Sequence, residues 1–364
     1  MTPTRTPPQD HSDAPPAPGA VIGWDIGGAH LKAARIEAGR VVAVRQAPLP
    51  LWMGLKHLEK AFDAMLPAFG PGATHRITMT GELVDLFGSR REGVAAIAAV
   101  ASARLGADVR IYAGRAGFTG ADAAERHADD IASANWHATA TLVGECMQTA
   151  LLIDMGSTTT DIIPVVGGRP AARGYSDAER MATGELVYTG AVRTPLMAVA
   201  ERAPVSGRWV GVAAEYFATM ADANRLLGRL DEAADQYPPA DGKGKTMAES
   251  RTRLARMLGH DVDDVHEAAW VAVAAWFAEA QLRRMHDGAL LALAGQGGSL
   301  GSSAPVVGCG VGRAQVEELA RRLGRPYLDL GTLLPAAADV GGWPSACAPA
   351  VAVALIGNGP ITAA

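Results

Sequence analysis

The sequence predicts a duplicated, two-lobed α/β fold with a mainly helical insertion in the second lobe. Two similar chain segments, and the elements after each of them, carry that expectation. An apolar strand runs into Asp154 and a small-residue turn, Leu151-Leu-Ile-Asp-Met-Gly-Ser-Thr-Thr-Thr-Asp161, and a second apolar run follows. The same order opens the chain in Val21-Ile-Gly-Trp-Asp25-Ile-Gly-Gly-Ala-His30-Leu-Lys32. Strand and helix alternation follows each copy, and two such halves place their ligand in the cleft between them.

Residues 1–20 hold six prolines and few apolar side chains. They read as a disordered tail without the cationic start and apolar core of a secretory signal. Strands are predicted at 21–26, 31–36 and 41–47, an antiparallel meander turning at Glu37-Ala-Gly39. Helix 54–67 carries Leu55, Leu58, Phe62 and Leu66 at helical spacing. Strand 75–79, helix 92–104, strand 108–112 and helix 131–147 complete a first lobe over 21–147. The second lobe, 148–344, repeats the opening with strands 150–154, 158–166 and 169–174. It carries a mostly helical insertion over 209–290, then strand 304–308, helix 313–323 and strand 326–329. A small-residue helix is expected at 345–356, and the terminal stretch 345–364 has the option of packing back onto the first lobe.

The net charge of -5 argues against a nucleic-acid partner. The most apolar run, Ala268 to Phe277, is bounded by Glu267 and Glu279 and is too short to cross a bilayer. Cys146, Cys309 and Cys347 are too far apart to form a CxxC metal site, and an odd number makes no disulfide framework. The expected compartment is therefore a reducing cytoplasm, with Cys309 a small packing residue.

The paired hairpins read as a phosphate clamp. Gly27, Gly28 and Gly156 let backbone N–H groups approach a phosphate, and Ser157, Thr158 and Thr159 add hydroxyls. Asp25 and Asp154, at strand ends, suit hydrated Mg²⁺. A third loop, Gly308-Cys-Gly310-Val-Gly312, offers donors at a helix N-terminus to a phosphate or a nucleotide ribose, though glycines there also serve tight packing. Lys32 is placed to meet a phosphate and equally suits a solvated strand edge. Arg193 and Lys243 are further anion-ligand candidates. Asp161 is read as orienting the hydroxyl turn, with a metal role open. His30 lies beside the first turn as a lone histidine, a weak sign of catalysis.

These three elements, in this order, resemble the actin-like ATPase superfamily of sugar kinases, heat-shock chaperone ATPases and actin. There the hairpins bracket phosphates and Mg²⁺ while the third loop covers the adenosine. A narrower resemblance is carried by Thr80-Gly-Glu82-Leu-Val-Asp85, Arg90-Arg-Glu92-Gly93, Asn135-Trp136 and Ala182-Thr-Gly184-Glu185. Arg193-Thr-Pro195, Glu215-Tyr-Phe-Ala-Thr219, Asp241-Gly-Lys243 and Arg251-Thr-Arg253-Leu-Ala-Arg256 continue it. Over essentially the whole chain after the tail, these are similar to hydantoinase/oxoprolinase-related proteins of tetrahydromethanopterin-linked one-carbon transfer in methylotrophs. That group is in turn similar to the archaeal methanofuran-biosynthesis enzyme that joins an aminomethyl-furan unit to a tyramine-type phenol.

The resemblance implies an alkyl transfer in which a phenol oxygen displaces diphosphate from a furfuryl CH₂. The implied small-molecule partners are a furan diphosphate and a phenolic acceptor, and the implied cofactor is Mg²⁺. A free phenol titrates near ~10, so a carboxylate base is needed. Glu82, Asp85 and Glu185 are the candidates for it, and each also suits the first turn of a following helix. A competing expectation is an ATP-dependent kinase or lactam-opening ATPase, for which the Gly308–Gly312 loop speaks. A chaperone-like assembly ATPase is a third. Homo-oligomerisation stays open.

Overall fold

The computed structural model describes residues 19–358. The tail expected at 1–20 lies almost wholly outside them, as do the last residues of the 345–364 stretch. β1 (Ala20–Ile26), β2 (His30–Glu37) and β3 (Arg40–Pro48) form the expected antiparallel meander. Its second turn runs through Ala38 and Gly39, both at positive φ. α1 (Lys56–Met65) buries Leu58, Ala61, Phe62 and Met65 on one face. β4 (Ala73–Met79) joins β1 in parallel, α2 (Arg90–Leu105) follows, and β5 (Arg110–Tyr112) and β6 (Phe118–Gly120) close the sheet. The strand order is β3-β2-β1-β4-β5-β6.

After the short helix α3 (Ala128–Ile131) and α4 (Asn135–Cys146), the chain repeats this plan. β7 (Thr149–Met155), β8 (Thr160–Val166) and β9 (Arg169–Pro170) run antiparallel, and β10 (Leu186–Val187) also pairs β8 beyond α5 (Asp177–Thr183). β11 (Arg202–Val205) and β12 (Arg208–Gly211) form a separate hairpin. α6 (Met220–Leu226), α7 (Met247–Met257) and α8 (Glu267–Ala294) fill the insertion. Then β13 (Val306–Cys309) lies parallel between β7 and β14 (Tyr327–Asp329), with α9 (Arg313–Arg322) between the two in sequence. The order β9-β8-β7-β13-β14 thus matches β3-β2-β1-β4-β5, the signature of a duplicated unit. Among the described residues, no helix is long and apolar enough to cross a membrane.

α10 (Trp343–Ala346) leads into α11 (Ala348–Leu355), whose eight residues are all buried. α11 packs on β1, β2 and β4 and on α4, while α4 packs on β7, β8 and β9. The two helices therefore form the seam joining both sheets, and one hydrophobic cluster there includes Val21, Trp136, Ile163, Val307 and Val353. Gly23 makes the contact possible, because a Cβ on it would lie 2.0 Å from the Ala350 carbonyl oxygen.

Two expected boundaries shift. The insertion opens on the β11–β12 hairpin and its last helix runs to Ala294. Ser206 and Gly207, both at positive φ, supply the tight turn that makes residues 208–211 a strand. The strand expected over 169–174 pairs only at Arg169–Pro170. Beyond it the backbone N–H groups of Arg173 and Gly174 bond a side chain, which ends the ladder.

Candidate active site between the two hairpin turns

Both hairpin turns face one cavity of about 450 Å³, within the usual range for small-molecule sites. Gly27, Gly28, Gly156, Ser157, Thr158 and Thr159 line it, together with Asp25, Asp154 and Lys32. Strand register explains what each hairpin contributes. Asp25 lies opposite Lys32 across β1–β2, and Asp154 opposite Asp161 across β7–β8. Lys32 Nζ approaches Asp25 Oδ2 at 3.4 Å, while Asp25 Oδ1 is buried without a partner. Burial works against the Lys32 charge, but Asp25 and more distant Asp154 outweigh it and hold the ammonium charged. Asp154 has no cation of its own. Burial and then Asp161 push its carboxyl up to about 7.

The segment after β10 carries Arg193 to the second turn. Ala191 N–H donates to Gly156 O at 3.0 Å, and Arg193 N–H donates to Ser157 O at 2.8 Å. The contact needs Gly190, whose Cβ would lie 2.4 Å from the Thr158 backbone nitrogen. Arg193 Nη1 reaches Thr158 Oγ1 at 3.5 Å, and its guanidinium covers the rings of Trp52 and Tyr237. Tyr237, from the insertion, donates to Ala29 O and accepts from Leu49 N–H at 3.1 Å, so the second unit clasps the first hairpin. Trp52, Leu83 and Tyr188, all solvent-exposed, add an apolar lip to the cavity.

A second polar group stands on the far wall. Ser133, at φ 54°, donates to Glu82 Oε1 at 3.0 Å and lies 3.2 Å from Asp177 Oδ2. Asp177 also accepts from Arg90 at 2.8 Å and from Arg180 at 3.0 Å. Arg180, 2% exposed, pairs with Asp161 at 2.5 Å and lies over the Trp136 ring. Burial pushes the Glu82 carboxyl up to about 7 despite the Ser133 hydrogen bond. Arg180→Met should leave Asp161 and Asp177 without that cation and destabilise the fold by about 3–5 kcal/mol. Urea unfolding measures this, and a loss below ~1 kcal/mol would show that the pair adds little.

The expected site residues divide here. Asp85 lines the cavity from an exposed position. Glu82 stands one hydroxyl behind the wall, reached through Ser133. Glu185 is a correction: it is fully buried away from the cavity, accepting from Arg173 and Gly174 N–H and from Thr183 Oγ1. Its role is to hold the chain after β9. Gly308, Gly310 and Gly312 do not line this cavity. Gly310 N–H donates to Ser345 O and Gly312 N–H to Met155 O, both at 2.8 Å, so those donors serve packing. Lys243 also lies outside the cavity wall. Sequence reading missed Ser133, Asp177, Arg180, Trp52 and Tyr237. Only the capping-box spacing Ser176 to Glu179 hints at α5, and it does not say where Arg180 points.

Asp25, Asp85, Asp154, Asp161 and Asp177 line the cavity against Lys32, Arg180 and Arg193. A divalent cation beside a polyphosphate would offset this surplus of acid. Among the described residues no cluster of three or more ligating side chains exists to hold a metal unaided. Mg²⁺ is commonly held through one or two carboxylates plus substrate phosphates and keeps several waters. Asp25 and Asp154 would supply those carboxylates, and the orphaned Asp25 Oδ1 is the fitting atom.

A family model for hydantoinase/oxoprolinase matches residues 74–329, most of the chain, and the protein belongs to that family. The duplicated sheets and interlobe cleft are the actin-like ATPase architecture. The fold superposes on nucleotide-free acetone carboxylase with a TM-score of 0.54, covering 92% of this chain and 70% of that one at 12% identity. Nearer in sequence is the (4-{4-[2-(gamma-L-glutamylamino)ethyl]phenoxymethyl}furan-2-yl)methanamine synthase of Methanocaldococcus jannaschii. The two are 31% identical over 249 residues, 68% of this chain and 74% of that one. The synthase of the same name from Methanococcus vannielii is 36% identical over 115 residues, 32% of this chain and 51% of the relative.

Proposed function

We propose that this protein joins an aminomethyl-furanmethanol diphosphate to the phenol of a tyramine- or tyrosine-type acceptor, forming an aryl furfuryl ether and releasing diphosphate. The observation that carries the reading is the pair of hairpin turns around one cavity, with Lys32, Arg193 and two strand-end aspartates facing it. The relatives named as phenoxymethyl-furan synthases supply the chemical class. In the reaction the CH₂–O bond to diphosphate breaks with its electron pair, and the phenol oxygen forms the new bond to the same carbon.

A furan ring stabilises positive charge on that CH₂, so assisting the leaving group is the main task. Lys32, Arg193 and the turn hydroxyls and N–H groups would gather the charge that develops on diphosphate. Bound Mg²⁺, held by Asp25 and Asp154, would neutralise more of it. On the far wall the phenol proton would pass to Ser133 Oγ as that hydroxyl gives its own proton to Glu82. A carboxyl titrating near about 7 suits such a base. The exposed lip of Trp52, Leu83 and Tyr188 offers flat apolar contact to the two rings.

An ATP-dependent reaction finds less support, because the Gly310 and Gly312 N–H groups of the loop that would serve a nucleotide are already engaged. The test is direct. Purified protein with Mg²⁺, a furfuryl diphosphate and tyramine should yield the ether and diphosphate without ATP. Substrate-dependent ADP production, with no ether in its absence, would overturn the proposal.

A further inference from the structure

One cavity-lining group takes no part in that mechanism. His30 is 6% exposed and lines the cavity, yet its Nε2 is buried without a hydrogen-bond partner. A buried polar atom left unsatisfied is costly, and such atoms are rare unless a ligand completes them. The ring is held in place. Its own carbonyl accepts from Gly27 N–H at 3.0 Å in the first phosphate turn, and Tyr237 packs against it edge-on at 5.4 Å. Tyr237 is itself fixed by its bonds to Ala29 and Leu49. The imidazole is therefore positioned, its Nε2 is unpaired, and it shares the cavity wall with the cations Lys32 and Arg193, the groups that attract an anion.

We infer that His30 is a further ligand-contacting residue, a neutral imidazole that donates N–H to an oxygen of the diphosphate. The inference rests on the proposed function for the identity of the anion. Burial, then Lys32 and Arg193, push the ring down to about 3, so it enters as a neutral donor. A neutral donor adds no charge before the reaction and strengthens its bond as negative charge grows on the leaving oxygen. The same cations disfavour the other role, accepting the phenol proton, because that would place a third positive charge beside them.

The experiment uses inorganic diphosphate with Mg²⁺ as the probe, measured calorimetrically, alongside ether formation. His30→Phe keeps the ring volume packed against Tyr237 and removes the donor, whereas His30→Gln retains an N–H donor. His30→Phe should bind diphosphate at least ten-fold more weakly and turn over roughly 100-fold more slowly. His30→Gln should recover both to within a few-fold of wild type. Unchanged diphosphate affinity in His30→Phe would overturn the inference, as would equal losses in the two variants or a change confined to the KM for the phenol. Circular dichroism and thermal melts confirm folding, and a His30→Phe that fails to fold leaves the decision to His30→Gln, where wild-type-like diphosphate affinity supports the inference and a ten-fold loss overturns it. Wild-type protein that binds diphosphate but makes no ether sinks the proposed reaction and leaves the His30 contact standing. Wild-type protein that binds no diphosphate sinks the His30 contact.

Discussion

Asp154→Ala is expected to abolish ether formation, by roughly 10³-fold or more, while the protein remains folded. Asp154 is the last residue but one of β7, before the second hairpin turn, buried and without a cation of its own, with Asp161 opposite it. Under the proposed function its loss would remove one of the two carboxylates that would hold Mg²⁺. The stability effect should run the other way. The folded carboxyl titrates near about 7 against an ordinary 3.8, so its ionisation costs stability progressively between those values and fully above them. In metal-free buffer at pH 8 the variant should therefore melt no lower than wild type. Mg²⁺ with diphosphate should raise the wild-type Tm and leave the variant unmoved. Turnover at the wild-type rate would show that the paired turns are not the clamp.

Glu82→Gln should slow ether formation by about 100-fold and leave diphosphate affinity nearly intact, as expected for loss of a general base. A parallel loss of binding would instead place Glu82 among the phosphate or metal contacts. The pH dependence gives a separate readout. Burial raises the folded pKa from 4.5 to about 7, so wild-type stability falls as pH rises through that window and is level above it. Glu82→Gln removes that slope. Chemical denaturation at pH 8 should find the variant more stable by up to about 3 kcal/mol, with the difference vanishing near pH 4. If the variant keeps its rate, Asp85 on the open wall becomes the base to test.

The repeated strand-Asp-turn made the duplication legible, because a strand end followed by small residues leaves few local alternatives. The same pattern brought Asp25, Lys32 and Asp154 to one cavity. The helices expected at 54–67, 92–104 and 313–323 match α1, α2 and α9 to within a few residues. The features that escaped reading depend on long-range packing. Glu82 and Glu185 sit in the same Thr-Gly-Glu triplet, yet one stands behind the cavity and the other holds a backbone turn. Which it is depends on Ser133 and on Arg173 and Gly174, residues brought near only by the fold. Gly308, Gly310 and Gly312 look like a phosphate loop in sequence, and the Gly310 and Gly312 donors face Ser345 and Met155 instead. Arg180 and Tyr237 carry no local mark of the contacts they make.

The seam helix α11 also imposes an order on synthesis. It covers β1, β2 and β4, strands that leave the ribosome well before it, since it is made only after β14 and everything between. Until then the nascent first sheet keeps the face around Gly23 uncovered, and an apolar surface of that kind is open to misassociation. Final packing must wait for contacts between opposite ends of the described chain, a distant pairing that slows folding. The first half is thus a guest of the second: it acquires its finished interior only when translation has delivered the helix that both halves share.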